Sequence, residues 1–272
     1  MDKKRYNFNK IAVVLILVGA GLYLLAWAIG FRGGSLVLID WRLEVEGTSF
    51  ESHVLGIDQE IQYVYIETLS ISVIIEPTSA GEAAGLQLIN IPLEAASIEN
   101  GRISIDTRSA ERQRGIRVFG MGFANASTRR EIRITLPADT LLSEIDASSV
   151  SGSFNIGVDA LHISANSTSG SINLNNAHWE TLLSESISGS IRVRGGRFMD
   201  YDSGETRLQT TSGSVNVEIA NNQNNFMYSA ATTSGNVRIN GQNHGRGTVS
   251  GGSGEHQVFM RTISGSVTLD SE

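Results

Sequence analysis

The residues whose types and spacing could do chemistry are few. Arg108 to Arg130 interleaves Arg108, Arg112, Arg114, Arg117, Arg129 and Arg130 with Phe119, Met121 and Phe123. Basic residues mixed with aromatics suit an anionic lipid head, a glycan polymer or an acidic protein face. Arg112, Arg114, Arg117, Phe119 and Phe123 are therefore the candidate partner- or polymer-binding set. The competing reading is a hairpin whose apolar face is core and whose arginines neutralise the domain's own carboxylates. Five histidines, His53, His162, His178, His244 and His256, show no pair at metal-ligand spacing. Gly251 to His256 resembles one turn of a calcium-binding glycine-rich repeat, but His256 replaces the needed Asp, so a plain loop is expected. Asp200, Asp202 and Glu205 gather near Tyr201 and Arg207, in a stretch where solvated carboxylates are ordinary. No nucleophile elbow, P-loop or dinucleotide fingerprint occurs. No catalytic residue, metal or cofactor is expected.

The elements that would position such groups follow from a repeat. Gly152, Gly170, Gly189, Gly213, Gly235 and Gly265 align so that the flanking columns agree. Three before each glycine stand Ser149, Ser167, Ser186, Thr210, Thr232 and Thr262; two before stand Val150, Thr168, Ile187, Thr211, Thr233 and Ile263. Two after come Phe154, Ile172, Ile191, Val215, Val237 and Val267, and four after come Ile156, Leu174, Val193, Val217, Ile239 and Leu269. Between those apolar columns lie Asn155, Asn173, Arg192, Asn216, Arg238 and Thr268. Side chains alternate along a strand, so each unit offers a short strand with an apolar inner and a polar outer face. The Ser-Gly step reads as turn chemistry, in which glycine allows positive φ and serine can bond nearby backbone groups.

Two inward aliphatics contribute about 1.5–3 kcal/mol each on burial. Ordering some twenty residues costs about 1–2 kcal/mol apiece. One unit cannot fold alone; stacked units sharing a core can. The chain is expected to be all-β and solenoid-like, of the β-helix type, with an antiparallel β-sandwich as the alternative. The glycine spacings of 18, 19, 24, 22 and 30 residues argue for constant strands and variable loops. The longest interval, Asn240 to Glu255, reads as an irregular glycine-rich loop. A degenerate earlier copy is expected at Asn100-Gly101-Arg102-Ile103-Ser104-Ile105, and strands around 62–66, 70–75 and 131–136. A polysaccharide-cleaving β-helix would want carboxylates at equivalent positions of successive units; the outward column holds none, so an enzyme is the minor alternative.

Ile11 to Ile29 is an almost unbroken apolar run, long enough to span a bilayer. Lys3, Lys4, Arg5 and Lys10 precede it, which predicts a cytoplasmic N-terminus and an exported remainder. A cleaved signal peptide, with Ala26-Trp27-Ala28 as its site, is the alternative. The expected organisation is a basic tail 1–10, an anchor helix 11–31, a juxtamembrane segment 32–60 and a β-repeat domain 61–272. There is no cysteine, hence no lipid attachment through one and no disulfide. Beyond residue 10 there are 17 basic and 27 acidic side chains (21 less 4, and 28 less 1), a net of −10. Nucleic acid is an unsuitable partner for such a surface. Membrane, envelope protein and envelope polymer remain.

From Glu131 onward the chain resembles the bacterial family of β-strand-repeat domains called putative adhesins, or toastrack-like. The likeness rests on Ile132, Ile134 and Leu136-Pro137, then the six Ser-Gly turns, ending at Ser264-Gly265-Ser266-Val267-Thr268-Leu269. The resemblance implies a repeat fold, an envelope setting, sometimes beside stress-signalling systems, and no defined activity.

Overall fold

The computed structural model describes residues 36–39, 42–45, 52–79, 83–108, 116–119, 130–199, 204–222 and 225–271. They fall in two units, Met1–Ser49 with Arg114–Thr128, and Phe50–Gln113 with Arg129–Glu272. In the first, strands Arg42–Val45, Leu36–Ile39 and Ile116–Phe119 form an antiparallel sheet in that order. The apolar run Ile11–Ile29 lies outside the described residues. Among those described, no helix is long and apolar enough to cross a membrane.

The second unit is a β-solenoid whose coils can be named by their glycines. Each coil has a strand before the turn and one after it. These are Leu141–Ser149 and Phe154–Ile156 for Gly152, then Asp159–Ser167 and Ile172–Asn175 for Gly170. For Gly189 they are His178–Ser186 and Ile191–Phe198, and for Gly213 Glu205–Thr210 and Val215–Ile219. Successive coils pair in parallel, with Phe154 beside Ile172, Ile172 beside Ile191 and Ile191 beside Val215. Columns aligned in sequence are thus stacks in space, and parallel stacking rules out the antiparallel sandwich. The residues two and four after every glycine are buried in one hydrophobic cluster.

The turn glycines owe their place to closeness, not to positive φ, which corrects the expectation from the sequence. None of the six is among the glycines with positive φ. Instead, a Cβ on Gly170 would sit 1.8 Å from the Gly152 carbonyl oxygen, and one on Gly189 1.9 Å from that of Gly170. The hydroxyl three residues earlier fills the remaining valences. Ser167 donates to the Gly152 carbonyl (3.3 Å) and accepts from the Gly170 N–H (2.8 Å). Thr210 does the same between Gly189 and Gly213, at 2.9 and 3.1 Å. Buried backbone polar groups must be paired, and this column pairs them at each coil boundary.

Two other expectations are overturned, for one physical reason. Asn240 to Glu255 is not an irregular loop: Gln242–Gly252 is a strand antiparallel to Phe226–Ile239, joined by the two-residue turn Asn240-Gly241 with φ of 47° and 77°. Likewise Asn100-Gly101, with φ of 51° and 72°, is the turn of a hairpin between Ala96–Glu99 and Arg102–Asp106. Ile103 and Ile105 pair with Val64 and Ile66, in the stack before the turns, so that segment is no copy of the unit. Two residues with positive φ match the twist of flanking antiparallel strands, and Asn-Gly is the dipeptide that adopts them most readily. The true early copy is Tyr63–Thr68 with Ser72–Pro77. Val73 and Ile75 pair with Phe154 and Ile156, and Ile71 occupies the glycine column.

Chain order and spatial order part company at the C-terminal end. The Gly265 coil, His256–Thr262 and Val267–Ser271, lies between the Gly213 coil and the Gly235 coil carried by Phe226–Ile239. Its glycine would clash with the Gly213 carbonyl at 2.0 Å if given a Cβ, and Gly235 with that of Gly265 at 1.9 Å. The last coil in sequence is therefore the penultimate one in space. The hairpin Phe226–Gly252 closes that end of the stack.

Candidate functional site: the outer face of the first strand stack

Of the residues singled out from sequence, Arg112, Arg114 and Phe123 lie outside the described residues. Arg117 and Phe119 stand on the strand Ile116–Phe119, opposite Val37 and Leu36 of the first unit. That segment is thus hydrogen-bonded to the stretch just after the apolar run. The six glycines form the buried column described above. Glu205 and Arg207 open the strand Glu205–Thr210 and bond to each other at 2.9 and 2.6 Å, whereas Asp200, Tyr201 and Asp202 are outside the described residues. Among the described residues no three His, Asp or Glu side chains could hold a metal ion.

The solenoid presents two outer faces, one on the strands after the turns and one on the strands before them. On the strands after the turns, the outward column bonds along its own length. Asn173 donates its amide to Asn155 Oδ1 at 3.0 Å, and Arg192 Nη1 donates to Asn173 Oδ1 at 3.4 Å. Beside it the Ser171 and Ser214 N–H groups donate to the hydroxyls of Ser153 and Ser190, both at 3.2 Å. This face is an internal ladder.

On the strands before the turns, the outer face carries two open grooves. One, of ≈ 420 Å³, runs over Ser148, Asn166, Glu185, Gln209 and Arg261. The second, of ≈ 470 Å³, shares Gln209 and Arg261 and continues to Ala231 and Thr248. The strand register fixes the rungs of this surface in the order Ser148, Asn166, Glu185, Gln209, Arg261, Ala231. Apolar side chains flank it on both sides: Leu183 and Phe259 are 39% and 37% exposed, Ile187 and Ile263 are 55% and 45% exposed. Arg207 holds its guanidinium 5.8 Å from the centre of the Phe259 ring. Sequence reasoning missed this face. The column two before the glycine was legible as β-branched, but that it points outward shows only once the hydroxyl beside it is seen to point in.

Beneath the groove, the inserted coil is pinned by a buried chain. Trp179 Nε1–H donates to Thr206 Oγ1 at 2.8 Å, and Thr206 Oγ1 is hydrogen-bonded in turn to His256 Nε2 at 2.9 Å. The His256 ring stacks on Phe198, with the ring centres 3.7 Å apart. Burial lowers its pKa to about 4, against a smaller upward push from Glu205. Elsewhere, Arg133 reaches Glu76 at 2.5 Å and Glu131 at 3.0 Å, His178 Nδ1 meets Asp159 at 2.9 Å, and Arg108 bridges Asp106 and Glu67. These contacts tie neighbouring strands together.

The fold is a stacked β-repeat with a buried hydroxyl–glycine spine. The profile of the Toastrack family, DUF4097, matches residues 61–202 and 199–270, and the chain belongs to that family. Comparison with curated proteins finds no match. Among solved structures, a putative cell adhesion protein from Clostridium sporogenes is 12% identical, covering 82% of this chain and 100% of its own, with a TM-score of 0.45. A putative adhesin from Bacteroides fragilis is 13% identical over 83% of this chain and 98% of its own, with a TM-score of 0.42. A putative adhesin from Parabacteroides distasonis is 11% identical over 82% and 97%, with a TM-score of 0.35.

Proposed function

We propose that this is an adhesin-like binding module, anchored by the apolar run Ile11–Ile29 in the cell membrane and holding its β-solenoid outside the cell. The observation that carries the binding function is the outer face of the first stack, where the exposed Leu183, Ile187, Phe259 and Ile263 flank a row of polar groups from Ser148 to Arg261. An open concave surface lined by apolar and polar side chains together suits a binding site. The anchor and its orientation rest on Lys3, Lys4, Arg5 and Lys10 ahead of the apolar run. The Arg112, Arg114 and Arg117 set is a second contact surface in this scheme, for acidic envelope partners.

Incubating the full chain with isolated cell-envelope material tests the reading. Retention of envelope polymer or protein with no change in its length is expected. Steady shortening of a polysaccharide would replace the binding reading with an enzyme, and no retention at all would remove it. A cysteine placed at Asn7 is expected to resist a membrane-impermeant thiol reagent in intact cells while one at Ser271 reacts; the opposite pattern would reverse the topology.

A further inference from the structure

We infer that the groove across the first stack takes an uncharged polysaccharide lying along the solenoid axis. This rests on the binding function proposed above and names its ligand. Three features of the groove point to it. The rungs come at strand spacing, about 4.7–4.9 Å, which is comparable to the length of one pyranose unit, so a linear glycan meets a new coil at each sugar.

The polar groups form a mixed set. Asn166 and Gln209 each donate and accept, Glu185 only accepts and Arg261 only donates. Sugar hydroxyls do both, and such a set suits them. The flanks Leu183 and Phe259 on one side, Ile187 and Ile263 on the other, supply the apolar contacts that the C–H faces of sugar rings need.

Charge and backbone pairing exclude the competing polymers. The chain beyond residue 10 carries a net −10; within the groove Glu185 and Arg261 flank Gln209 on opposite sides and offset each other, and Arg207 is paired with Glu205. A polyanion therefore finds a repelling domain and no cationic track. An extended peptide binds a sheet by adding to a free edge. Here the strands under the groove are paired on both sides, from Leu141–Ser149 through Phe226–Ile239. A peptide would find no backbone partner on this face.

The test is native affinity electrophoresis of the full chain in detergent, through gels containing soluble β-glucan, mannan or galactomannan. Polygalacturonate and casein serve as the anionic and peptide probes. At least one neutral polymer is expected to retard the protein, unchanged by about 0.5 M salt because no net charge is involved. Phe259→Ser and, separately, Gln209→Leu are expected to weaken that retardation about tenfold, while Asn155→Ala on the opposite face leaves it alone. Circular dichroism keeps the comparison to folded variants. Retardation only by polygalacturonate or only by casein overturns the inference. So does neutral-polymer binding that both groove variants retain, or no neutral-polymer binding at all. If the protein ignores every neutral polymer yet still holds envelope material, the glycan inference falls and the binding function stands; if it holds neither, both fall.

Discussion

Replacing Gly189 with alanine isolates the feature on which the stacking depends. The added Cβ would lie 1.9 Å from the Gly170 carbonyl oxygen, 2.6 Å from its carbon and 2.8 Å from Ser186 Oγ, where ordinary contact begins at 3.4 Å. Backbone atoms on the neighbouring coil cannot step aside singly, so the two coils must part locally by about 1.5 Å. Overpacking of this kind costs about 1–3 kcal/mol. Parting the coils also stretches the Ser186 hydroxyl bond to the Gly170 carbonyl (3.5 Å) and the Ser188 N–H bond to Thr168 (2.8 Å), at about 1 kcal/mol each. The stiffer unfolded chain returns about 0.4–1 kcal/mol. A net loss of about 3 kcal/mol is expected, read as a lower urea midpoint by circular dichroism. Gly241→Ala is the matched control: its φ is +77° but nothing lies within 4 Å of the new Cβ, so only the left-handed backbone penalty of about 1–2 kcal/mol applies. If Gly189→Ala proves no more damaging than Gly241→Ala, closeness is not what the glycine column is for.

Three further outcomes follow from the core. Ser184 has a fully buried hydroxyl without a hydrogen-bond partner, at a column where Ala147 and Ala165 stand in earlier coils; Ser184→Ala is expected to raise stability by about 1 kcal/mol in the same urea titration. Val217→Asp places a charge at a 2% exposed position and should unfold the domain or nearly so, whereas Asn216→Asp, equal in charge, should cost under about 1 kcal/mol; equal melting temperatures would refute the register. His256, lowered from 6.5 to about 4, binds fewer protons folded than unfolded between those values. Its contribution is complete above pH 6.5 and is lost as pH falls towards 4, at no more than about 1.4 kcal/mol per pH unit. Urea midpoints of His256→Gln should lose that part of the slope, and an unchanged slope would contradict the assignment.

How much of this was legible in the sequence can be said residue by residue. The inward columns, such as Ile172 with Leu174 and Val215 with Val217, are buried as their alternation required, because period-two burial is local. The hydroxyl three before each glycine was visible as a column, but its pairing with the previous coil's glycine carbonyl was not, since that bond spans 15 residues at Ser167 and 49 at Thr262. Reading positive φ into Gly152 or Gly189 took the commonest use of glycine for the actual one. At Asn100-Gly101 and Asn240-Gly241 the reverse happened: the local hairpin signal was present, but the first was absorbed into the repeat pattern and the second into a glycine-rich loop. The groove was the least legible part, because Phe259 joins Arg207 only through the insertion of the last coil. Nothing local to either residue announces a neighbour fifty positions away.

That insertion sets the order of rungs in the groove, with Arg261 between Gln209 and Ala231, and it can be measured directly. The chain has no cysteine of its own, so introduced pairs report without background. Thr268 is the register partner of Asn216 on one side and of Arg238 on the other. Adjacent strands place such positions about 4.8 Å apart, inside the range a disulfide bridges, while positions two strands apart lie beyond it. Under mild oxidation, cysteines at Asn216 and Thr268, or at Thr268 and Arg238, are expected to cross-link. The pair at Asn216 and Arg238 should not. A cross-link between Asn216 and Arg238, with none from either to Thr268, would mean that the coils stack in chain order and would contradict the inserted coil and the groove built on it.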